Sequence, residues 1–310
     1  MKIIESVDVM REYSQQLKRE GKTIASVDTD AELHDGHMSL VKIAKENADV
    51  VVLISGHSVD YQKLTEKEYK KKKLQYRHHP DGLLRDIELS KSNGVDVFFY
   101  PPENQIYVDD LSIPIEMCEK AYDFIRNRDI YEADEGVIST LQHSLCMHFP
   151  VFKVVMPDIS MVGQKDVCQV FAIKSLIKQL NLPIKVIMAP IIRDSDGLAC
   201  SSRNVYLTQS DRQNALSIYQ ALQEVSSWSK IESINYIKTY ITHRVKSEYC
   251  YISICCAETL EELNILDRDA IIMITAKFGE YGYMDNIFIY QCFSRLKKEP
   301  LIGSKKDENY

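Results

Sequence analysis

Residues 23–55 read TIASVDTDAELHDGHMSLVKIAKENADVVVLIS, and this stretch settles the fold class. Thr23–Val27 is short and rich in β-formers. From His37 to Asn47 the apolar residues Met38, Val41 and Ala44 recur at helical spacing. Val50–Ser55 is a continuous apolar run, the pattern of a strand covered on both faces. The same alternation continues outward. Leu83–Ser92 predicts a helix and Val95–Tyr100 a strand, and Ile159–Val162 is a weaker strand. Val167–Leu180 is strongly helical, with Val170, Ile173, Leu176, Ile177 and Leu180 on one stripe. Ile184–Ala189 closes the series as another strand. Apolar strands alternating with helices predict an α/β chain with a parallel sheet, which binds ligands at the carboxyl ends of its strands.

Beyond residue 190 the pattern changes. Ser210–Trp228 and Ile234–Val245 predict helices, Tyr251–Cys255 and Ala270–Ala276 strands, and Gly279–Gly282 a turn. The expected organisation is a larger domain over residues 1–190, a smaller α+β domain over 191–290, and a polar, Lys-rich tail over 291–310 that is expected to fray.

Composition narrows the function. The 310 residues are 45% apolar and 27% charged, which excludes disordered, collagen-like and coiled-coil chains. The formal charge of −7 makes the chain a poor candidate for a general nucleic-acid binder, which would need a basic face, and no nucleic-acid partner is expected. No apolar run approaches the roughly 20 residues that cross a bilayer, and the N-terminus has no signal-peptide core, so no membrane partner is expected. The 8 cysteines form no CxxC pair, so they read as reduced thiols of a cytoplasmic protein rather than as a zinc or redox site. Lys67–Lys73 fits a solvated helix face better than a phosphate site. Neither GxGxxG nor GxxxxGK[ST] occurs.

Three segments carry chemistry. His34-Asp35-Gly36-His37 follows a predicted strand and opens a predicted helix. A helix N-terminus offers unpaired N–H groups and a partial positive charge, and glycine lets a phosphate approach. The alternative is a loop with two solvated histidines. Asp196–Asn204 gathers Ser201, Ser202 and Arg203, suited to phosphate oxygens or, alternatively, to capping a helix. Gly163-Gln164-Lys165-Asp166 lies at a strand-to-helix turn. There Lys165 can neutralise phosphate, and Asp166 can hold a ribose hydroxyl or simply cap the helix. One pocket at the strand ends could collect all three segments.

At these residues the chain resembles the pantothenate synthetases, the pantoate–β-alanine ligases of the HxGH nucleotidyltransferase superfamily. The resemblance runs over roughly residues 1–290. It includes Leu33–His37, Gly94–Pro101, Pro157-Asp158, Gly163–Asp166, Asp285-Asn286 and, most specifically, Arg193–Leu207, read RDSDGLACSSRNVYL. It implies a Rossmann-like nucleotide- and acid-binding domain with an HxGH-type site, a C-terminal α+β lid and a homodimer. It implies ATP as co-substrate with Mg²⁺ and requires no protein nucleophile, and no protein residue is assigned as a metal ligand. A small carboxylic acid, either pantoate or a changed acid, would become an acyl-adenylate with release of pyrophosphate. A small amine would then form the amide and release AMP. By resemblance His34, His37, Lys165, Ser201, Ser202 and Arg203 hold the phosphates, Gly36 and Gly163 line the nucleotide, and Asp166 holds its ribose. Thr29, Gln62 and Gln169 would hold the acid. Alternatives are a nucleotidyltransferase that stops at the adenylate and an ATP-binding homologue without turnover.

The chain departs from the family where the acid should sit. Pro-Thr-Met-Gly becomes Asp28-Thr29-Asp30-Ala31, and Ser-Ile-Phe-Val-Asn-Pro-x-Gln becomes Ser55–Gln62 with His57 inside it. Of the paired glutamines after Lys165-Asp166 only Gln169 remains, beside Cys168. The Arg-Pro-Gly-His-Phe stretch has no clean counterpart in Arg126–Thr140. Asp28, Asp30 and His57 would set charge against the paired methyl groups of pantoate, which favours a more polar or amine-bearing acid. The alternative is that both aspartates point to solvent.

Overall fold

The computed structural model describes residues 1–29, 32–55, 80–101, 148–228 and 233–290, with residues 80 and 81 described by backbone alone. In chain order the elements are β1 (Lys2–Ile4), α1 (Val7–Arg19), β2 (Ile24–Thr29), α2 (Asp35–Asn47), β3 (Val50–Ser55), α3 (Pro80–Ser92) and β4 (Val97–Phe99). Helix α4 occupies residues 148–155. It is followed by β5 (Ile159–Gly163), a 3-10 turn (Gln164–Asp166), α5 (Val167–Gln179), β6 (Lys185–Ala189) and a second 3-10 turn (Ser202–Tyr206). Then come α6 (Gln209–Ser226), α7 (Ile234–Arg244), β7 (Cys250–Cys256), β8 (Ala270–Phe278) and β9 (Tyr281–Ile289).

Strands β1 to β6 form one sheet in the order β1-β4-β3-β2-β5-β6, and every pair is parallel. From β2 the chain builds outward to β3 and β4 on one side, then returns to add β5 and β6 on the other. That reversal opens a crevice beyond the carboxyl ends of β2 and β5, the usual ligand site of an open α/β sheet. Alternation along β2 divides its side chains. Ala25 and Val27 pack with Met38, Val41 and Ala44 of α2 and with Leu83 and Ile87 of α3. Ile24 packs on the opposite face with Val7, Met10 and Leu17 of α1 and with Val151, Val154 and Val155 of α4.

Strands β7, β8 and β9 form a separate antiparallel sheet. One face packs on α6 and α7 through Ile218, Leu222, Ile237, Ile254 and Ile272. The other meets the parallel sheet, where Cys255, Leu260 and Ile271 pack against Val167, Phe171 and Met188. Among the described residues no helix is long and apolar enough to cross a membrane.

The periodic segments fold as the sequence predicts, and Val50–Ser55 does so to the residue. Four elements lie outside the expectation. Strand β1 has three residues and exposes two of them. Helix α1 buries the narrow stripe Val7, Met10, Ser14 and Leu17, and Ser6 caps it by accepting from Val9 N. Helix α4 and strand β9 were also not predicted. The turn expected at Gly279 is the hairpin that starts β9, with Phe278 paired to Tyr281 and Gly279 at φ +59°. The expected tail, 291–310, lies outside the described residues, as do Lys67–Lys73 and Arg126–Thr140.

Candidate active site

The turn between β2 and α2 is held from the side by α3. Leu33 is fully buried, its N–H donates to Asp86 Oδ1 at 3.0 Å, and its carbonyl accepts from Arg85 at 2.9 Å. Glu32 just before it turns the chain at φ +54°. This sets His34 as the N-cap of α2. Its Nδ1 accepts from Gly36 N at 3.1 Å, so the ring proton sits on Nε2 as a donor. One of the expected unpaired N–H groups is therefore capped by the histidine itself. His37 stacks on His34 with ring centroids 4.0 Å apart. A Cβ on Gly36 would lie 2.8 Å from His34 Cε1, so only glycine fits beneath the ring.

Both imidazoles are held neutral. Burial first, then the nearby Lys165 charge, lowers His34 to about 4, against the opposing pull of Asp194 and Asp35. Burial, His34 and Lys165 push His37 well below the ordinary histidine value, and its Nδ1 is buried without a hydrogen-bond partner. The pair is thus not a loop of solvated histidines. Two neutral N–H donors beside a lysine form a preorganised site for an anion.

Lys165 comes from the 3-10 turn after β5 and donates to Cys200 O at 3.3 Å. The turn's backbone is pinned by Asn286 of β9, whose Nδ2 donates to Gln164 O at 2.9 Å and to Lys165 O at 3.1 Å. Gln164 returns a bond to Asn286 Oδ1 at 3.0 Å. Asp166 precedes α5 without capping it, which leaves its carboxylate available. A Cβ built on Gly163 meets nothing within 4 Å, so the strand end there opens into space.

The segment after β6 folds back on itself, pairing Arg193 with Ala199 across Gly197 at φ +100°. Arg193 grips Asp285 of β9 with two bonds, 2.6 and 2.9 Å, and lies over the Tyr219 ring. Asp194 accepts from Cys200 Sγ, Asn204 and Arg212. Burial and the Asp194 carboxylate push the Cys200 thiol up to about 12, so it is no nucleophile. Ser201 caps the second 3-10 turn through Arg203 N, and Arg203 donates to Gly282 O at 3.1 Å. A cleft of about 850 Å³ separates α2 and α3 from this segment, lined by His34, Asp35, Arg85, Asp194, Ser201 and Arg212. Lys165, Ser201 and Arg203 border a second, small cavity of about 20 Å³.

The profile of the family described as Pantoate-beta-alanine ligase matches residues 2–288. The chain belongs to the pantoate-beta-alanine ligase family. A pantothenate synthetase from a Geobacillus species is 32% identical over 293 residues, covering 93% of this chain and 98% of that protein. One from Thermotoga petrophila is 31% identical, covering 93% of this chain and 100% of its own length. Among solved structures, pantothenate synthetase from Thermus thermophilus superposes with a TM-score of 0.72 at 25% identity, covering 94% of this chain and 100% of that one. The pantoate-beta-alanine ligase from Francisella tularensis gives 0.64 at 25% identity over 93% of this chain and 97% of its own. That structure holds beta-gamma ATP and beta-alanine. Membership makes this chain an ATP-dependent, AMP-forming ligase with the parallel sheet and small C-terminal sheet of the family.

As a member of the ligase family, the chain brings His34, His37, Lys165 and Ser201 together at the crevice, with Gly36, Gly163 and Asp166 beside them and Ser202 half-buried at the start of the second 3-10 turn. Thr29 ends β2, buried, donating to Ile54 O at 2.9 Å. Gln169 is half-buried on the first turn of α5. Asp28 does not point to solvent: its side chain is 11% exposed and its Oδ2 lies 3.7 Å from His148 Nε2 on α4. Asp30, His57 and Gln62 lie outside the described residues. Sequence reasoning missed Arg85, Asp86 and His148. Each reaches the site across a long sequence separation, where no local motif announces it.

Proposed function

We propose that the chain joins a small carboxylic acid to a small amine, β-alanine or a similar amino compound, through an acyl-adenylate. The acid's carboxylate oxygen attacks the α-phosphorus of ATP, the bond to the β-phosphate oxygen breaks, and pyrophosphate leaves. The amine nitrogen then attacks the acyl carbon and loses its proton. The bond to the AMP oxygen breaks, leaving the amide and AMP. The observation that carries this reading is the stacked, neutral His34–His37 pair beside Lys165 at the strand-end crevice.

In this reading His34 Nε2–H and His37 donate to phosphate oxygens, and Lys165, Ser201, Ser202 and Arg203 clamp the charge that builds on pyrophosphate. Gly36 and Gly163 line the nucleotide and Asp166 accepts from its ribose. Catalysis comes from positioning and fixed donors. Among the described residues no cluster of three His, Cys, Asp or Glu side chains could hold a metal, whereas the donors present suit an anion. Lys165, Ser201, Ser202 and Arg203 would face the phosphates of a Mg²⁺–ATP substrate, whose metal would supply additional charge neutralisation. Thr29, Gln169 and Gln62 would hold the acid, with Asp28, Asp30 and His57 forming a wall that favours an acid more polar than pantoate. Residues 191–290 would serve as a lid that brings Ser201–Arg203 to the phosphates, in a cytoplasmic homodimer.

Acid-dependent exchange of pyrophosphate into ATP tests the reading. Exchange with pantoate or a polar analogue, followed by AMP and amide once an amine is added, is the expected result. His37→Ala and Lys165→Ala should each lower exchange by roughly 100-fold or more, the scale of losing one fixed donor to a developing charge. A retained nucleotidyl group, or ATP binding with no exchange, would overturn it.

A further inference from the structure

The face of β2 opposite the histidines carries a buried carboxyl that the ATP chemistry does not use. Ile24 and, by alternation, Ser26 and Asp28 face α1 and α4, the side of the sheet whose core holds Val52, Ile54, Phe99, Val151 and Val154. Asp28 stands one residue before the end of β2, in register with Ile54 of β3. Its Oδ2 accepts from Ser26 Oγ at 3.4 Å and sits 3.7 Å from His148 Nε2, beyond hydrogen-bond reach of the ring. Its Oδ1 is buried with no hydrogen-bond partner. On β5 beside it Ser160 Oγ, in register with Ser26, is also buried without a partner. Burial pushes the Asp28 carboxyl up, against the lowering pull of His148 and Ser26.

Buried polar atoms are almost always paired, so an orphan carboxylate oxygen at the carboxyl end of a central strand calls for a donor from elsewhere. In the ligase reading the acid substrate is the molecule held at Thr29, the next residue. We propose that Asp28, backed by His148, determines acid specificity, and that the selected acid presents a hydrogen-bond donor where pantoate presents its paired methyl groups. This rests on the ligase reading above. The shared chemistry is an N–H or O–H donor, so an ammonium or a hydroxyl group would answer it.

Four acids decide the matter in the exchange assay: pantoate, and analogues with hydrogen, hydroxyl or ammonium in place of the paired methyl groups. The wild-type enzyme should favour the hydroxyl or ammonium analogue over pantoate by at least ~10-fold in kcat/KM, since a site built to bond a polar group rejects the analogue lacking it. Asp28→Asn should erase preference for the ammonium analogue and spare part of any preference for the hydroxyl one. The double change Asp28→Val with His148→Val should move preference toward pantoate. Thermal melts of each variant establish that it is folded. Wild-type preference for pantoate, or a selectivity ratio that Asp28→Asn leaves unmoved, would overturn the inference and reduce Oδ1 to the partner of a structural water. Silence with all four acids, while ATP still raises the melting temperature, would overturn the ligase reading itself.

Discussion

Two histidines that stay neutral under a lysine give the site a pH signature. His34 is lowered to about 4 by burial first and by Lys165 next, from an ordinary value of 6.5. Below 6.5 the unfolded chain takes up a proton that the folded chain refuses until about 4. Stability is therefore fully present above 6.5 and falls as pH drops through that window. His34→Asn keeps an N-cap acceptor but removes the titrating ring. Urea titrations at neutral pH and at about pH 5 should show the wild-type protein losing about 2 kcal/mol more than this variant between the two. Parallel losses in the two proteins would mean that the His34 ring titrates as it does in the unfolded chain.

Strand β9 ties the site together, and its two adjacent polar residues do different jobs. Asp285 is almost completely buried and neutralises Arg193, so Asp285→Ala would strand a guanidinium inside the fold. That change should cost about 3 kcal/mol of stability by denaturant titration. Asn286 holds the carbonyls on either side of Lys165, those of Gln164 and of Lys165 itself. Asn286→Ala should cost nearer 1–2 kcal/mol, yet reduce pyrophosphate exchange more per unit of lost stability, because it frees the turn that aims Lys165. None of this was legible as contact. The sequence showed Asp285-Asn286 only as a matching pair and stopped its last strand before them. Contiguous features read well: Val50–Ser55 as a buried strand, His34–His37 at a helix start, and Lys165-Asp166 at a strand-to-helix turn. What failed to read was short, narrow or long-range: three-residue β1, the thin apolar stripe of α1, and the reach of Asp86 to Leu33 or of His148 to Asp28. Periodicity reports which face of a segment is buried. It carries no information about which distant residue will pair with that face.

A boundary near residue 190 marks where the chain changes from parallel to antiparallel sheet, but the cores do not stop there. Val167 and Phe171 of α5 and Met188 of β6 pack with Cys255 and Ile271 of the second sheet, and Arg193 and Asn286 bridge the same seam with polar contacts. Val167, Cys255 and Ile271 are nearly or fully buried, so separating the sheets would expose a hydrocarbon surface to water. Coupling of this kind predicts that both sheets melt together despite their different architectures. Calorimetry on the intact chain should give one transition whose calorimetric and van't Hoff enthalpies agree, the signature of a single cooperative unit. Ile271→Ala should lower stability by about 2–4 kcal/mol and broaden or split that transition, because it weakens the seam more than either core. Two resolved transitions in the wild-type protein would instead mean that each sheet carries its own stability.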